Sequence, residues 1–270
     1  LGPGRAQAVR WISLASTLAS LLLALILTIQ FAMPRVQAEA TGKDMMTFAP
    51  KMATQLTLLP LSTNAEGKVD SAIQFYVGID GLNIWLILLT ALLMMTSVLV
   101  SWTAITDRVH EFHAWLFVLQ LGMTGVFASF DIILFYVFFE LTLVPLFFLI
   151  GIWGGPQRQY AARKFFIYTL TGSLITLLGV LSIALIVPQI DTNRKLTFAI
   201  PKLVSEVDSL NRQLPEEVRQ REQAPEGAAD AGELSLARER LDYWRKVQLW
   251  VFLAMMCGFA VKVPMVPLHT

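Results

Sequence analysis

The sequence predicts an all-α polytopic membrane protein. Hydrophobic residues make up 55% of the 270 residues and charged residues only 15%, whereas soluble domains have about 25% charged residues. The apolar residues are gathered in long runs, each about the length that a helix needs to cross a bilayer. We therefore predict six transmembrane helices, one kinked near a glutamate and one broken after a lysine, and a charged insertion outside the membrane.

The composition also excludes several kinds of chemistry. The single cysteine, Cys257, cannot form an internal disulfide, and an iron–sulfur cluster needs several thiolates. The three histidines are too scattered for a haem or zinc site, and no glycine-rich nucleotide loop is present. A net charge of +1 gives no argument for nucleic acid. We therefore expect no cofactor in this chain and no nucleic-acid partner.

The first predicted span, residues 11–33, follows two arginines. The alternative is a cleaved signal peptide, since Val-Gln-Ala at residues 36–38 resembles a cleavage site, but the apolar run is too long for that class of segment. Residues 34–77 are polar and mixed, and we expect a surface loop there, with residues 56–61 extended. The chain begins without methionine and ends directly after an apolar run, so we expect further helices on both sides.

The second predicted span opens at Asp80 and ends near residue 102. The carboxylate of Asp80 can cap this helix by accepting backbone N–H groups at the positive end of its dipole. The third span covers residues 112–130, and only a few residues separate it from the fourth. We therefore expect the third and fourth helices to form a tight antiparallel pair.

The fourth span, residues 132–153, places Glu140 alone in an apolar run. A charge at the bilayer centre costs about 2.5–3.5 kcal/mol on insertion scales. Pro145 adds a second irregularity, because it has no N–H to donate to the carbonyl of Leu141. A structural interpretation is a protonated glutamate bonded to another helix. We favour the alternative, an ionisable group on a proton route.

The fifth span carries two basic residues, Arg163 and Lys164, about one turn from its start, and it runs to about residue 187. Long basic side chains at such positions commonly reach back to the lipid headgroups. Gly172 and Gly179 lie further along this span. Small residues of this kind let a neighbouring backbone come close in membrane bundles.

The insertion, residues 189–246, holds about half of the chain's charged residues and separates helices one to five, within residues 1–188, from the last span. Apolar residues at 203, 207, 210 and 214 follow helical spacing, which indicates an amphipathic helix. Residues 223–232 are rich in glycine and alanine and indicate a flexible hinge. We interpret the insertion as a soluble segment on one membrane face.

The last span, residues 247–270, carries Lys262 shortly before Pro264 and Pro267. These prolines leave backbone carbonyls without hydrogen-bond donors, so the helix is expected to break there. Non-helical backbone at membrane depth persists only where protein or a watery cavity satisfies it. The structural alternative is a lysine that reaches back to the headgroups.

A glutamate and a lysine close together in a membrane would control each other's charge. Burial disfavours the charged form of each group, and an opposite charge nearby favours it. We hypothesise that Glu140 and Lys262 exchange protonation in this way. Residues 1–10, 103–111 and 154–164 are rich in arginine and lysine, which places them on the cytoplasmic side.

Three stretches resemble the antiporter-like membrane subunits of respiratory complex I. They are Phe-Phe-Glu-Leu-Thr-Leu-Val-Pro at residues 138–145, Lys-Phe-Phe-Ile-Tyr-Thr-Leu-Thr-Gly-Ser at 164–173, and Phe-Ala-Val-Lys-Val-Pro-Met-Val-Pro-Leu-His-Thr at 259–270. The resemblance implies a proton-pumping subunit of two inverted five-helix repeats. The family's second half is absent from this sequence, and the insertion is longer than the link expected at that place.

The resemblance also implies roles for individual residues. Glu140 would tune the proton affinity of Lys262, the pumping lysine on the broken helix. Arg163 or Lys164 would be a partner of Glu140. His269 would belong to the hydrated path beyond the break.

The resemblance further implies that NADH, FMN, iron–sulfur clusters and quinone are bound by partner subunits. The lipid bilayer and the other membrane subunits are the expected partners, and a bacterial inner membrane is the expected location. A sodium/proton antiporter subunit is the first alternative. A structural anchor whose insertion binds a partner is the second.

Overall fold

The computed structural model describes residues 3–39, 50–63, 69–190, 195–223 and 231–263. The chain divides into two compact units, Leu1–Leu56 with Phe75–Ile167 and Thr57–Gln74 with Tyr168–Thr270. The helices and strands in the described ranges are α1 (Pro3–Glu39), β1 (Lys51–Thr63), β2 (Val69–Ile79), α2 (Asn83–Ala104), α3 (Val109–Ala128), α4 (Ile132–Trp153), α5 (Arg158–Ile190), α6 (Ile200–Glu222) and α7 (Ala231–Lys262).

Five of the described helices, α1, α2, α4, α5 and α7, are long and apolar enough to cross a membrane. Their exposed leucine, isoleucine and phenylalanine side chains are of the kind that lipid would cover. The predicted third span is a helix of 20 residues, α3, but it is not among the five. Polar residues at its start and Gln120 in its middle lower its hydropathy, so the predicted count of six is not confirmed.

In the first unit, α1 packs against α2 and α3. Its buried face carries Ser13, Thr17 and Thr28. The hydroxyl of Thr17 donates to the carbonyl of Ser13 at 3.0 Å, and the hydroxyl of Thr28 donates to Ala24 at 2.7 Å. Small side chains that bond within their own helix let helices approach closely.

Helices α3 and α4 form the predicted tight pair, and glycines make their close approach feasible. A Cβ on Gly122 would lie 2.9 Å from Cγ2 of Thr142, and one on Gly125 would collide with the ring of Phe138. The buried carboxylate of Asp131 caps α4 by accepting the backbone N–H groups of the first turn. The α3–α4 prediction is confirmed.

The predicted capping role of Asp80 is also confirmed. Its Oδ1 accepts the backbone N–H groups of Leu82 at 2.8 Å and Asn83 at 2.6 Å. The side-chain amide of Asn83 donates to the carbonyl of Gly78 at 3.1 Å and to that of Phe127 at 3.0 Å. These bonds join the start of α2 to the end of α3.

The predicted surface loop contains a two-stranded sheet of β1 and β2. Residues 56–61, expected to be extended, lie in β1 as predicted. The pairing was not predicted, although apolar residues at 73, 75, 77 and 79 alternate along β2. The connection, residues 64–68, is too short for a parallel crossover, so the strands are antiparallel. The all-α prediction therefore applies to the membrane helices only.

In the second unit, α6 is the predicted amphipathic helix. Its buried residues, Leu203, Leu210, Leu214 and Val218, lie on the face that packs against α7. Helix α7 begins at Ala231, so the last part of the insertion, residues 231–246, forms the beginning of this helix. The predicted boundary at 246/247 is not a break, because Trp244, Val247 and Val251 continue one buried stripe across it. Most of the predicted hinge lies outside the described residues.

Candidate proton-transfer site

Glu140 lies near the middle of α4, whose bounds match the prediction for the fourth span. The side chain is half-buried, and its Oε1 is fully buried without a hydrogen-bond partner among the described residues. Leaving a buried acceptor unpaired costs about 1–3 kcal/mol. An apolar helix can retain such a group where a water molecule donates a hydrogen bond to the oxygen or where the carboxyl group exchanges a proton.

Two further residues of α4, Pro145 and Tyr136, lie close to Glu140. Pro145 is fully buried inside α4, where it supplies no N–H to the carbonyl of Leu141. Tyr136 is one turn before Glu140, on the same face of the helix. Sequence reasoning missed Tyr136, although a tyrosine within an apolar span was the available signal.

Two contacts fix the register between α4 and the start of α5. The rings of Phe147 and Phe166 meet edge to face at 5.5 Å, and a Cβ on Gly151 would lie 3.5 Å from Cβ of Ala162. In this antiparallel arrangement the basic pair of α5 lies beside the end of α4. It is about ten residues, or roughly 15 Å, along the axis from Glu140.

Neither predicted basic partner contacts Glu140. The guanidinium Nε of Arg163 donates to the carbonyl of Gln159 at 3.2 Å, within its own helix. Lys164 is exposed. The positions of both residues fit basic groups at the membrane surface.

Lys262 is the last residue of α7 and is half-buried. The preceding turn packs closely on α5 within the second unit. A Cβ on Gly172 would lie 2.8 Å from Cβ of Val261, and one on Gly258 would lie 2.7 Å from the carbonyl oxygen of Gly172. Gly172, one of the small residues predicted to allow close approach, thus lies against the turn that carries Lys262, and Gly258, which was not predicted, does the same from α7.

The helix ends at Lys262, where the sequence predicts a break. Pro264, Pro267 and His269 lie outside the described residues. Glu140, Arg163 and Lys164 belong to the first unit, and Lys262 belongs to the second. Within the described ranges, no cluster of His, Cys, Asp and Glu side chains could hold a metal ion.

A second titratable group that sequence reasoning missed is His113 on α3. Its ring is 2% exposed, although the start of a helix is often wet. The sequence signal was a histidine inside the predicted third span, at a position that continues the apolar run. Its contacts are described below.

Comparison with known proteins gives a consistent family. Residues 129–208 match the family described as NADH:quinone oxidoreductase/Mrp antiporter, transmembrane. The chain is 32% identical to NADH-ubiquinone oxidoreductase chain 4 of Prototheca wickerhamii, over 98% of this chain and 42% of that protein. It is 30% identical to NADH-quinone oxidoreductase subunit M of Rhodobacter capsulatus, over 100% of this chain and 42% of that protein.

A third relative and a solved structure extend the comparison. F(420)H(2) dehydrogenase subunit M of Methanosarcina mazei is 31% identical over 73% of this chain and 33% of that protein. A chain of respiratory complex I from Thermus thermophilus has the same fold, with a TM-score of 0.62, 24% identity, and coverage of 96% of this chain and 41% of that one. The chain thus spans about two fifths of the length of the first two relatives.

Proposed function

We propose that this chain, whose residues 129–208 match the NADH:quinone oxidoreductase/Mrp antiporter transmembrane family, is a proton-translocating membrane subunit of an NADH:quinone oxidoreductase. It is an integral multi-pass membrane protein with antiporter-like helices. NADH, FMN, iron–sulfur clusters and quinone belong to partner subunits, and the chain couples quinone reduction elsewhere to proton movement. A bacterial inner membrane is its proposed location.

The buried, unpartnered Oε1 of Glu140 is the observation that carries this proposal. A carboxyl group in an apolar helix costs free energy, so it is retained for a role that an amide or leucine cannot take. Protonation of Glu140 removes a negative charge and so makes the charged form of Lys262 less favourable. Deprotonation of Lys262 likewise makes the charged form of Glu140 less favourable. A shift of one unit in either proton affinity is about 1.4 kcal/mol, which is comparable with moving a charge across part of the membrane potential.

The remaining predicted residues belong to the two ends of the proposed proton route. Arg163 and Lys164 hold positive charge at the surface end of α5, and act on Glu140 through intervening water instead of direct contact. His269 continues the path beyond Lys262. Because the backbone after Lys262 is expected to be broken, water can enter there and exchange the proton.

The exposed apolar strand β1 supports a neighbouring membrane subunit as a partner. Met52, Leu56, Leu58, Leu59 and Leu61 are all exposed. A long apolar strand with one free edge is a site for association, and soluble monomers avoid it. We expect Leu58→Lys to release this subunit from the complex during detergent extraction. Normal co-purification of the variant would remove this support.

The direct experiment measures proton uptake by membrane vesicles that hold the assembled complex, driven by NADH. We expect Glu140→Gln and Lys262→Ala each to reduce pumping by about tenfold or more. Matched controls are Glu217→Gln on α6, an ion-paired surface glutamate, and Lys246→Ala, an exposed lysine on α7. Unchanged pumping in both test variants would contradict the proposal.

The antiporter alternative shares the glutamate and lysine design. The family description includes Mrp antiporters, whereas the relatives described above are named as subunits of an oxidoreductase or a dehydrogenase. An antiporter subunit would exchange sodium for protons without NADH, so sodium-driven proton movement in NADH-free vesicles would favour it. A structural anchor would leave pumping intact in both point variants and fail to assemble without residues 191–246.

A further inference from the structure

His113 is a buried titratable group outside the Glu140 and Lys262 route. Its Nδ1 lies 2.7 Å from the carbonyl oxygen of Val109, one turn earlier in α3. A carbonyl only accepts hydrogen bonds, so Nδ1 must carry the hydrogen. Nε2 is therefore the atom that gains or loses a proton.

The Nε2 atom has no hydrogen-bond partner in the part of the chain that the structure describes, and it is fully buried. The neutral ring there presents an unpaired acceptor, and the protonated ring would present an unpaired donor. Each state costs free energy unless a partner can both donate and accept. Water and hydroxyl groups can do both.

The helices around His113 supply hydroxyl groups at the same end of the unit. Leu14 of α1, Val98 of α2 and Leu116 of α3 belong to one apolar cluster, so the turns of the three helices that carry these residues lie side by side. Ser13 and Ser101 are buried beside members of that cluster. The hydroxyl of Ser101 donates to the carbonyl of Val98 at 3.0 Å, so its lone pairs remain able to accept.

The link before α3 is held next to this site. Arg10 donates to the carbonyl of Ile105 at 2.8 Å, and the indole of Trp153 donates to that of Asp107 at 2.9 Å. Arg108, the residue before α3, has a left-handed backbone with φ of 49°. Residues 105–111 therefore form a fixed link at the helix ends, beside the buried imidazole.

Of the charged groups on the packed elements whose side chains the structure describes, Glu140 lies far from the ring, and the others belong to this link or to the start of α1. The α3–α4 register puts Glu140 roughly 16 Å along the axis from His113. In the described ranges, the titratable groups on these elements are Arg5, Arg10, Arg35 and Glu39 on α1, none on α2, Tyr136 and Glu140 on α4, and Asp107, Arg108, His110 and Glu111 on α3 and its link.

We propose that His113 is a second proton-exchange site of this chain, which takes protons from water at the 105–111 link. In the forward step, Nε2 forms an N–H bond to a proton of hydronium, whose O–H bond breaks to leave water. In the return step, the N–H proton passes to a water held between α1, α2 and α3. The inference rests on the proposed proton-translocating function.

The test uses the assembled complex in vesicles and measures proton pumping against pH. His113→Asn keeps a side-chain N–H for the Val109 carbonyl but removes the titrating atom, and Glu217→Gln, at the ion-paired glutamate of α6, is the control. We expect His113→Asn to lower pumping by about tenfold and to change the pH profile of pumping. The control should keep the native rate and profile.

Several outcomes would overturn the inference. Assembled His113→Asn with the unaltered pH profile would assign His113 to packing alone, as would failure of His113→Asn, His113→Gln and His113→Met all to assemble. Loss of pumping in Glu140→Gln together with an unaltered His113→Asn would overturn this site but leave the proposed function standing. Unaltered pumping in both would overturn the two together.

Discussion

Helices α4 and α6 each contain an internal proline, yet they treat charge in opposite ways. In α4, Glu140 is the only charged residue, and its buried oxygen has no partner among the described residues. In α6, several charged residues form ion pairs near the surface, as Arg212 with Asp208 at 2.8 Å and Arg221 with Glu217 at 2.9 Å, although one carboxylate oxygen of Glu206 is buried. The number of charged residues in a helix therefore says little about its function. The free-energy cost of burying an ionisable side chain in an apolar helix is the better sign that the residue has a functional role.

The strongest test of the α4 side of this comparison is its packing against α3. Gly125→Val places a branched side chain where even a Cβ collides with the Phe138 ring. Overpacking of this kind costs about 1–3 kcal/mol or more, so we expect α3 and α4 to separate and little complex to assemble. Blue native electrophoresis measures the yield. Gly155→Ala, at a glycine with open space around its Cβ direction, should assemble normally.

The α6 side is tested at the side-chain bonds that hold it to α7. The amide oxygen of Asn211 accepts from the indole of Trp244 at 2.7 Å and from Gln248 at 2.6 Å. Asn211→Ala leaves the part-buried indole donor unpaired, at a cost of about 1–3 kcal/mol. We expect faster proteolysis of α6 in sealed vesicles with pumping unchanged. Loss of pumping instead would give the insertion a part in transport.

Stability should respond with opposite signs in the two helices. Glu140→Gln removes a carboxyl group from an apolar helix and should stabilise the subunit against heat by about 1 kcal/mol. Glu217→Gln removes one member of a surface ion pair and should cost about 0.3–0.5 kcal/mol. Heat-induced loss of the subunit from the detergent-extracted complex measures both. A destabilised Glu140→Gln would show that Glu140 is structural.

The smallest effect is expected at the sheet. Burial raises the pKa of Tyr76, because the phenolate is less well solvated there. The group contributes stability below its ordinary pKa of about 10, and this contribution is lost as pH rises through the higher folded value. The protection of β2 amides, that is their exchange rate relative to the intrinsic base-catalysed rate at the same pH, should therefore fall above about pH 10 in the native chain. In Tyr76→Phe this additional loss of protection should vanish.

Much of the fold was predicted from local patterns. The bounds of α4, the cap at Asp80 and the amphipathic stretch of α6 depend on spacing and chain direction, so a single sequence shows them. The pairing of β1 with β2 and the start of α7 at Ala231 were not predicted. Strand pairing depends on hydrogen bonds between two segments, which the pattern of either segment alone does not specify, and the buried stripe of α7 runs between surface charges.

The sequence by itself determined that this chain is a polytopic membrane protein with an isolated glutamate and lysine, because hydropathy and charge are properties of each residue. Only the tertiary structure decided which polar atoms lack partners. Glu140 and His113 are distinguished from Asp131 and Asp80 by what surrounds them, since burial and hydrogen bonding are set by neighbours on other turns and helices.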